Sequence, residues 1–438
     1  MNLTRRFFLQ STGLLTAYVG LAPSMALARP FALASMSKAT VRKNKTLVVL
    51  FLRGGADGLN IIVPHGDEHY FKLRPTIAIP GPSAKADNKC LDLDGFFGLH
   101  PRLAPMMPHF QSGLAVAAHA VGYSKNTRSH FEEQDTWETG IVGNTVHSDG
   151  WLNRHLMTSD GDGIIRAVTI GDALPRILHG KASAFAVRGL DDLVLPGGKA
   201  GSDRIAAALE HAYCAQRSQR SDLRGQATDL LAQSARTTLE GMKVLREITK
   251  DKYEPATAYP KSDLASRLMQ VARLIKANVG LEVAEVDLGG WDTHNNQGGG
   301  TGAHANLIGQ VGEALAAFAT DLGDKMDDVV LVTLTDFGRT AAENGTAGTD
   351  HGWANCMLLL GGGVQRANKA AASAGKARKV YAQWPGLAED QLHQKRDLLH
   401  TTDFRDVLGE LVATHLGNPN IQTVLPQHEF KAVGLVTA

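Results

Sequence analysis

The strongest fold signal in the chain is "KTLVVLFLRGGADGLN", which runs from Lys45 to Asn60. Its apolar run, Thr46 to Leu52, has no polar alternation. Such a run indicates a strand buried on both faces, as in a parallel sheet that is covered by helices. The glycine-rich turn that follows carries Asp57, so the stretch also places an acid just after the carboxyl end of a strand.

Further apolar runs recur along the chain, with helical patterns between them. Two of these patterns are "SHFEEQDTWETGI" and "DLASRLMQVARLIKANV". Strands that alternate with helices predict an α/β fold with a mostly parallel sheet sandwiched by helices. The stretch from about 202 to 248 is long, helical in pattern and rich in Ala, Leu, Arg and Gln, and it predicts a helical insertion. The later predicted strands are Leu114–Gly122, Arg166–Gly171, Leu281–Leu288, Val329–Thr335 and Cys356–Gly363.

The composition fits an enzyme-like globular protein and argues against nucleic acid as a partner. The chain has 438 residues, enough for a large core, and its 45 Lys plus Arg against 44 Asp plus Glu give a net charge of +1. Its three cysteines, Cys90, Cys214 and Cys356, form no CxxC pair, which argues against thiolate zinc and redox chemistry. They allow one disulfide outside the cytoplasm, and their spacing does not indicate which pair would form it.

The N-terminus is typical of an export signal. Arg5 and Arg6 precede Phe7, Phe8 and Leu9, as in a twin-arginine (Tat) signal, and residues 25–28, Met-Ala-Leu-Ala, fit a cleavage site after position 28. The apolar stretch between them is too short and too weak to predict a stable membrane span. We therefore predict a signal peptide at 1–28, a linker at 29–45 and one domain at 46–438. Export by the Tat machinery would place that domain in the periplasm or outside the cell.

Acids and histidines follow several of the predicted strands. Ligands of open α/β sheets bind outside the carboxyl ends of the strands. Carboxylate and imidazole groups together favour Zn²⁺ or Mn²⁺, whereas an all-oxygen set would favour Ca²⁺ or Mg²⁺. The sequence therefore predicts a divalent metal centre with one or two ions. Its predicted ligands are Asp57, Asp292, His294, Asp336 and His351.

Two of the predicted ligands also have a structural interpretation. Asp57 in "GGADG" fits an Asx-turn. Asp336 fits the N-cap of a turn, with Arg339 as its salt-bridge partner. Asp350 lies next to His351 and is interpreted as a neighbour of the ligand rather than a ligand.

The predicted catalytic residues are Arg53, Arg128, Ser129, His130 and Arg339. The arginines lie beside strand ends or at the start of a helix. There they would either bind a phosphate or sulfate in a bidentate manner or form structural ion pairs. Ser129 and His130 begin a predicted helix, and either is a candidate nucleophile. Ser129 also fits a plain helix N-cap.

Five motifs in this order resemble one bacterial family. "FLRGGADGLN", "SHFEEQDTWETG", "GWLNRHL", "GGWDTHNNQ" and "DFGRTAAENGTAGTDHGW" follow a Tat signal and closely resemble the domain-of-unknown-function 1501 family. The resemblance runs from about Thr46 to the C-terminus. That family is similar to the alkaline phosphatase and sulfatase superfamily, whose members hydrolyse phosphate or sulfate esters at a metal centre on an α/β sheet.

The resemblance implies roles for individual residues. The superfamily's first-strand acid looks like Asp57, its nucleophile falls on Ser129 or His130, and its last histidine looks like His351. Its acid-plus-histidine loop resembles Asp292 with His294, at a shorter spacing than usual. Its Asp-His pair falls on Asp336, but Phe337 replaces the histidine.

We therefore expect an exported metal-dependent hydrolase that acts on a small anionic ester. The alternative is a non-catalytic periplasmic or surface binding protein that kept the fold with a degenerate site. Two departures from the family pattern favour the alternative: the missing histidine at position 337 and the unclear nucleophile at Ser129 or His130.

Overall fold

A computed structural model describes residues 45–143, 148–192, 208, 223–375 and 377–438. The predicted signal peptide, the linker before Lys45 and much of the predicted insertion lie outside the described residues. In the described part of the chain, no helix is long and apolar enough to cross a membrane. Cys90 and Cys356 are both buried and free, and Cys214 lies outside the described residues.

The described strands form a nine-stranded sheet and a three-stranded sheet. The strands are β1 Thr46–Leu52, β2 Ile62–Val63, β3 Leu91–Asp92, β4 Gly98–Leu99, β5 Ala115–Gly122, β6 Ala167–Ile170, β7 Phe185–Val187, β8 Val283–Leu288, β9 Val329–Thr335, β10 Asn355–Gly361, β11 Val380–Tyr381 and β12 Thr402–Asp403. The large sheet has the order β11-β5-β10-β9-β1-β8-β6-β7, and β12 also pairs with β5. The small sheet has the order β2-β4-β3.

The large sheet is parallel except at β10. Strand β1 pairs in parallel with β8 on one side and with β9 on the other. Strand β10 runs antiparallel to both β9 and β5. The prediction of an α/β fold with a mostly parallel sheet is confirmed, and the bounds predicted for β1 and β9 are those observed.

Helices cover both faces of the sheet. Side chains of β1 alternate between two cores. Val48 and Leu50 pack with the helices at Asp263–Lys276 and Ala303–Leu322, and Leu47, Val49 and Phe51 pack with the helices at Trp151–Thr158 and Phe404–Glu410. This two-sided burial is why the strand is apolar throughout. The helices are α1 Gly58–Ile61, α2 Glu68–Leu73, α3 Met107–Gln111, α4 His130–Thr139, α5 Trp151–Thr158, α6 Leu223–Thr249, α7 Asp263–Lys276, α8 Ala303–Leu322, α9 Gly362–Ser373, α10 Phe404–Glu410 and α11 Ile421–Val424.

Helix α7 illustrates how the sequence specifies these layers. Ser262 caps it, because its side chain accepts a hydrogen bond from the backbone N–H of Ala265 at 3.2 Å. Leu264, Leu268 and Val271 recur at helical spacing and are buried. Each contributes about 1.5–3 kcal/mol by burial, so replacing Leu268 with alanine should cost about 2–5 kcal/mol.

Candidate metal centre

Four of the predicted metal ligands and the predicted catalytic residue His130 meet at one edge of the large sheet. Asp336 directly follows β9. Asp292 and His294 follow β8, which is separated from β9 in the sheet by β1 alone. His130 begins α4, which follows β5. His351 precedes β10, and because β10 is antiparallel its amino end lies at the carboxyl edge of the other strands. The direction of β10 therefore brings His351 to the edge where ligands bind in α/β sheets.

Three imidazole nitrogens lie around one carboxylate oxygen of Asp292. The Oδ1 atom is 2.9 Å from His294 Nε2, 3.1 Å from His351 Nε2 and 3.4 Å from His130 Nε2. The Nε2 atoms of His294 and His351 are 3.0 Å apart. Ligand atoms bound tetrahedrally at 2.0–2.1 Å from Zn²⁺ would be about 3.3 Å from one another. The distances from Oδ1 to the three nitrogens are close to this value, and His130, Asp292 and His351 form a group that could hold one ion, with His294 beside it.

The other ring nitrogen of each histidine faces an oxygen acceptor. Such an acceptor fixes the proton on Nδ1 and leaves the lone pair of Nε2 for a metal. The Nε2 atom of His130 is buried and makes no hydrogen bond to any described residue. The Nδ1 contacts are His130 with Asp336 Oδ2 at 2.6 Å, His294 with Asp350 Oδ1 at 2.9 Å, and His351 with the carbonyl of Arg128 at 2.8 Å.

Local charges keep Asp292 ionised. Burial raises the pKa of this carboxyl group, but the guanidinium of Arg339, whose Nη2 lies 2.7 Å from Oδ1, outweighs it and lowers the pKa to about 2. The Asp292 side chain is 45% exposed, so an ionised carboxylate faces solvent. The cluster is therefore open to solvent on that side.

Asp336 lies behind His130 rather than among the nitrogen atoms that converge on Asp292. Its carboxylate accepts hydrogen bonds from the backbone N–H of Gly54 at 3.0 Å, Gln134 Nε2 at 2.9 Å and the His130 ring. Burial raises the pKa of Asp336, and these donors outweigh it and lower the pKa. The salt-bridge partner of Arg339 is Asp292, not Asp336. Asp336 therefore orients the imidazole of His130.

The segment from Asp336 to Trp353 folds back on itself as a hairpin-like loop. The backbone of Gly338 pairs with that of Trp353, and Asn344 closes the turn by accepting hydrogen bonds from two backbone N–H groups. A Cβ atom at Gly348 would lie 2.1 Å from the carbonyl oxygen of His294. Glycine is therefore required where this loop packs against the segment that carries Asp292 and His294.

A family model described as protein of unknown function (DUF1501) matches residues 44–421 of this chain. The chain belongs to the DUF1501 family. A search of curated proteins returned no significant match.

Two solved structures are similar to this DUF1501 protein at low sequence identity. One is the PsFucS1 sulfatase from Pseudoalteromonas sp., at 11% identity and a TM-score of 0.33, over 85% of this chain and 68% of that one. The other is an alkaline phosphatase from the Antarctic bacterium TAB5, at 12% identity and a TM-score of 0.23, over 73% of this chain and 92% of that one.

Phe337 forms an apolar wall of the cluster in this DUF1501 protein. Its side chain is fully buried, and its ring centroid lies 4.7 Å from that of His130 and 4.6 Å from that of His351. Phe337 occupies the position at which the resemblance leads one to expect a histidine. It can restrict the orientation of two imidazoles, but it cannot bind a metal.

Asp57 is buried in an ion pair away from this cluster. Its carboxylate binds Arg74 at 2.5 and 3.0 Å and Gln297 Nε2 at 2.6 Å. Burial raises the pKa of Asp57, and the charge of Arg74 outweighs it and lowers the pKa. Asp57 is the N-cap residue of α1, without a side-chain cap hydrogen bond in the described structure. These contacts support a structural role for Asp57, and the ligand set proposed below omits it.

The three arginines predicted to bind an anion are all engaged by protein acceptors. Arg339 is buried and holds backbone carbonyls together with Asp292. Arg53 and Arg128 pair with acids, in line with the structural interpretation. The contacts are Arg53 with Asp287 at 2.6 Å and Glu138 at 3.0 Å, and Arg128 with Asp397 at 2.6 Å.

Ser129 is the N-cap residue of α4, and its side chain makes no cap hydrogen bond to the described residues. Its role as a nucleophile stays a prediction. Sequence reasoning identified His130 as a candidate nucleophile, whereas its Nε2 atom lies with the metal-competent atoms. The position of His130 just beyond a strand end was the signal that could have identified it as a ligand. No comparable signal marks Gln134 or Arg74.

Proposed function

We propose that this DUF1501 protein is an exported metal-dependent hydrolase of phosphate or sulfate esters. The observation that supports the proposal most directly is the convergence of three Nε2 atoms on Asp292 Oδ1, with each Nδ1 held by an oxygen. Imidazole and carboxylate ligands together favour Zn²⁺ or Mn²⁺ over Ca²⁺ or Mg²⁺. The proposed ligands of a single ion are His130, Asp292 and His351, and His294 would lie beside them in contact with Asp292 and His351.

A bound divalent ion would supply a Lewis acid for the ester oxygen and a water of lowered pKa. Residues of the chain would orient the imidazole ligands and keep the carboxylate ligand ionised. Asp336 and Asp350 would hold two of the imidazoles in the correct tautomer, and Arg339 would keep Asp292 ionised. The exposed side of Asp292 would admit the substrate. Catalytic zinc sites hold the ion with three protein ligands, keep the fourth position for water and can expand to five ligands during reaction, so a set of three protein ligands would leave room for both water and substrate oxygen.

The proposed route to the periplasm or the outside of the cell is the Tat machinery. Arg5 and Arg6 at the start of the chain support it. Tat export carries folded proteins, so the ion would bind before export. Replacing both arginines with lysine should leave the protein in the cytoplasm, which fractionation followed by immunoblotting would measure.

Metal analysis and turnover test the proposal together. Protein recovered after export should contain about one ion of Zn²⁺ or Mn²⁺ per chain and should hydrolyse an aryl phosphate or an aryl sulfate. His130→Ala and His351→Ala should lose both properties. His109→Ala is the matched control, because His109 lies on α3 outside the cluster and should retain both. A wild-type protein that is folded and metal-free after reconstitution with each ion would refute the proposal.

The second candidate is a non-catalytic periplasmic or surface binding protein. The engagement of Arg53, Arg128 and Arg339 by protein acceptors favours it, because these were the groups expected to hold the anion. A bound ion without turnover of either ester class, together with calorimetric binding of a phosphate or sulfate ester, would support this candidate over the hydrolase.

A further inference from the structure

We propose that Arg128 and Asp397 are positioning residues for the proposed metal centre, on whose existence the inference rests. Their ion pair holds the backbone of Arg128 in a conformation that directs its carbonyl at His351. The carbonyl oxygen lies 2.8 Å from His351 Nδ1. An acceptor at this nitrogen leaves Nε2 free to bind metal.

The conformation of Arg128 is one that a residue with a Cβ atom rarely adopts. Its φ is +60°, in the left-handed region that glycine favours. Ser129 follows as the N-cap of α4, and His130 is the first residue of that helix. The backbone at Arg128 therefore sets two proposed ligands at once, His130 through the chain and His351 through the carbonyl.

Several contacts over-determine this conformation. The backbone N–H of Arg128 donates to Asn126 Oδ1 at 2.8 Å. Its guanidinium donates to Asp397 Oδ2 through Nε at 3.0 Å and Nη2 at 2.6 Å, and it lies 5.3 Å from the centre of the Trp353 ring. Unfavourable backbone conformations persist where surrounding contacts hold them. The ion pair with Asp397 is the charged contact among these.

Asp397 is itself well placed for this task. Its carboxylate is fully buried, and a buried carboxylate is retained when it is paired. The neighbouring Arg396 donates through Nη2 to the carbonyl of His351 at 2.6 Å. The loop that carries these two residues therefore contacts the His351 segment directly and also through Arg128.

The test is the Zn²⁺ affinity of full-length apoprotein, measured by competition with a chromophoric chelator. Asp397→Asn and Arg128→Ala should each weaken binding about 10–100-fold, the range expected when a partner that supports a metal ligand is lost. Lys395→Gln is the control in the same loop. The ammonium of Lys395 pairs with Glu389 at 3.2 Å and both side chains are largely exposed. The Lys395→Gln variant should therefore bind Zn²⁺ with wild-type affinity.

A glycine at position 128 separates positioning from a purely structural role. Glycine adopts a positive φ readily, so it should make the ion pair dispensable. Arg128→Gly combined with Asp397→Asn should therefore bind Zn²⁺ more tightly than Asp397→Asn alone, even if both variants melt at the same temperature. In apoprotein labelled with ¹⁵N-histidine, Asp397→Asn should also lose the single Nδ1–H tautomer of His351.

The outcomes are separable. Wild-type affinity in Asp397→Asn, or equal affinity with and without the glycine, would overturn the positioning role while the metal centre stands. A wild-type protein that does not bind Zn²⁺ would overturn the metal centre, and the positioning role with it.

Discussion

Replacing Asp57 with asparagine separates a metal ligand from a structural partner. The carboxylate lies in the fully buried pair with Arg74, whose nitrogens approach it to 2.5 and 3.0 Å. The substitution leaves the guanidinium buried without its counter-charge. Breaking such a pair from one side costs about 3–5 kcal/mol. Because Asp57 is outside the group that could hold an ion, its loss should not change the metal affinity of the folded protein.

The cost converts into a measurable shift of the melting temperature. At about 2.1 cal/mol/K per residue, a chain of this size has an unfolding entropy of about 0.9 kcal/mol/K, so Asp57→Asn should lower Tm by about 3 to 6 °C. Calorimetry on apoprotein removes any contribution from the metal. Asp172→Asn is the matched control, because Asp172 pairs with Arg188 at the surface and both side chains are largely exposed. Its Tm should stay at the wild-type value.

The pH dependence supplies an independent check. The pKa of Asp57 is lowered in the folded protein, because the charge of Arg74 outweighs the effect of burial. A lowered pKa contributes stability above the unfolded value of about 3.9 and loses it as the pH falls through the folded value. The Tm difference between wild type and Asp57→Asn should therefore shrink in acid below about pH 4. Loss of metal from Asp57→Asn at unchanged Tm would refute the structural role and restore Asp57 as a ligand.

Three further substitutions test the cluster itself. Asp336→Asn removes a charged acceptor of a ligand imidazole and should weaken Zn²⁺ binding about 10–100-fold in chelator competition. Gly348→Ala should also weaken it, because a Cβ atom there would lie 2.1 Å from the carbonyl oxygen of His294, whereas Gly345→Ala, where a Cβ atom would meet no described atom within 4 Å, should not. Phe337→Ala should lower the free energy of unfolding by about 3–5 kcal/mol, because it empties a fully buried ring site. Wild-type values in these variants would contradict the corresponding contacts.

The strands were the most predictable part of the fold. Thr46–Leu52 and Val329–Thr335 are almost entirely apolar, because each strand is buried on both faces of the central sheet. Runs of seven residues are short for a helix, so their length favours a strand. Because the ends of these apolar runs are clear in the sequence, Asp57 and Asp336 could be recognised as acids that follow strand ends. The direction of β10 was not predictable, since an apolar run carries no sign of the direction in which it will pair.

Which residues are proposed ligands and which support them could also not be predicted from the sequence. Asp336 and His130 were both recognised as site residues, but which one presents an atom to the centre depends on ring orientation. Asp57 was assigned as a ligand because it follows a strand. Its actual partner, Arg74, lies 17 positions along the chain in a segment without a recognisable motif, and tertiary packing alone brings them together.

The loop from Asp336 to Trp353 contributes more support than ligation. It supplies one metal-competent nitrogen, from His351, whereas Asp336, Phe337 and Asp350 fix the orientation of other rings. Two of the histidines rest against carboxylates, which strengthen a ligand imidazole, and His351 rests against a neutral carbonyl. The orientation of His351 therefore depends on backbone geometry instead of charge. On the proposal above, this difference is the reason why the left-handed conformation of Arg128, held by its ion pair with Asp397, would matter to the metal centre.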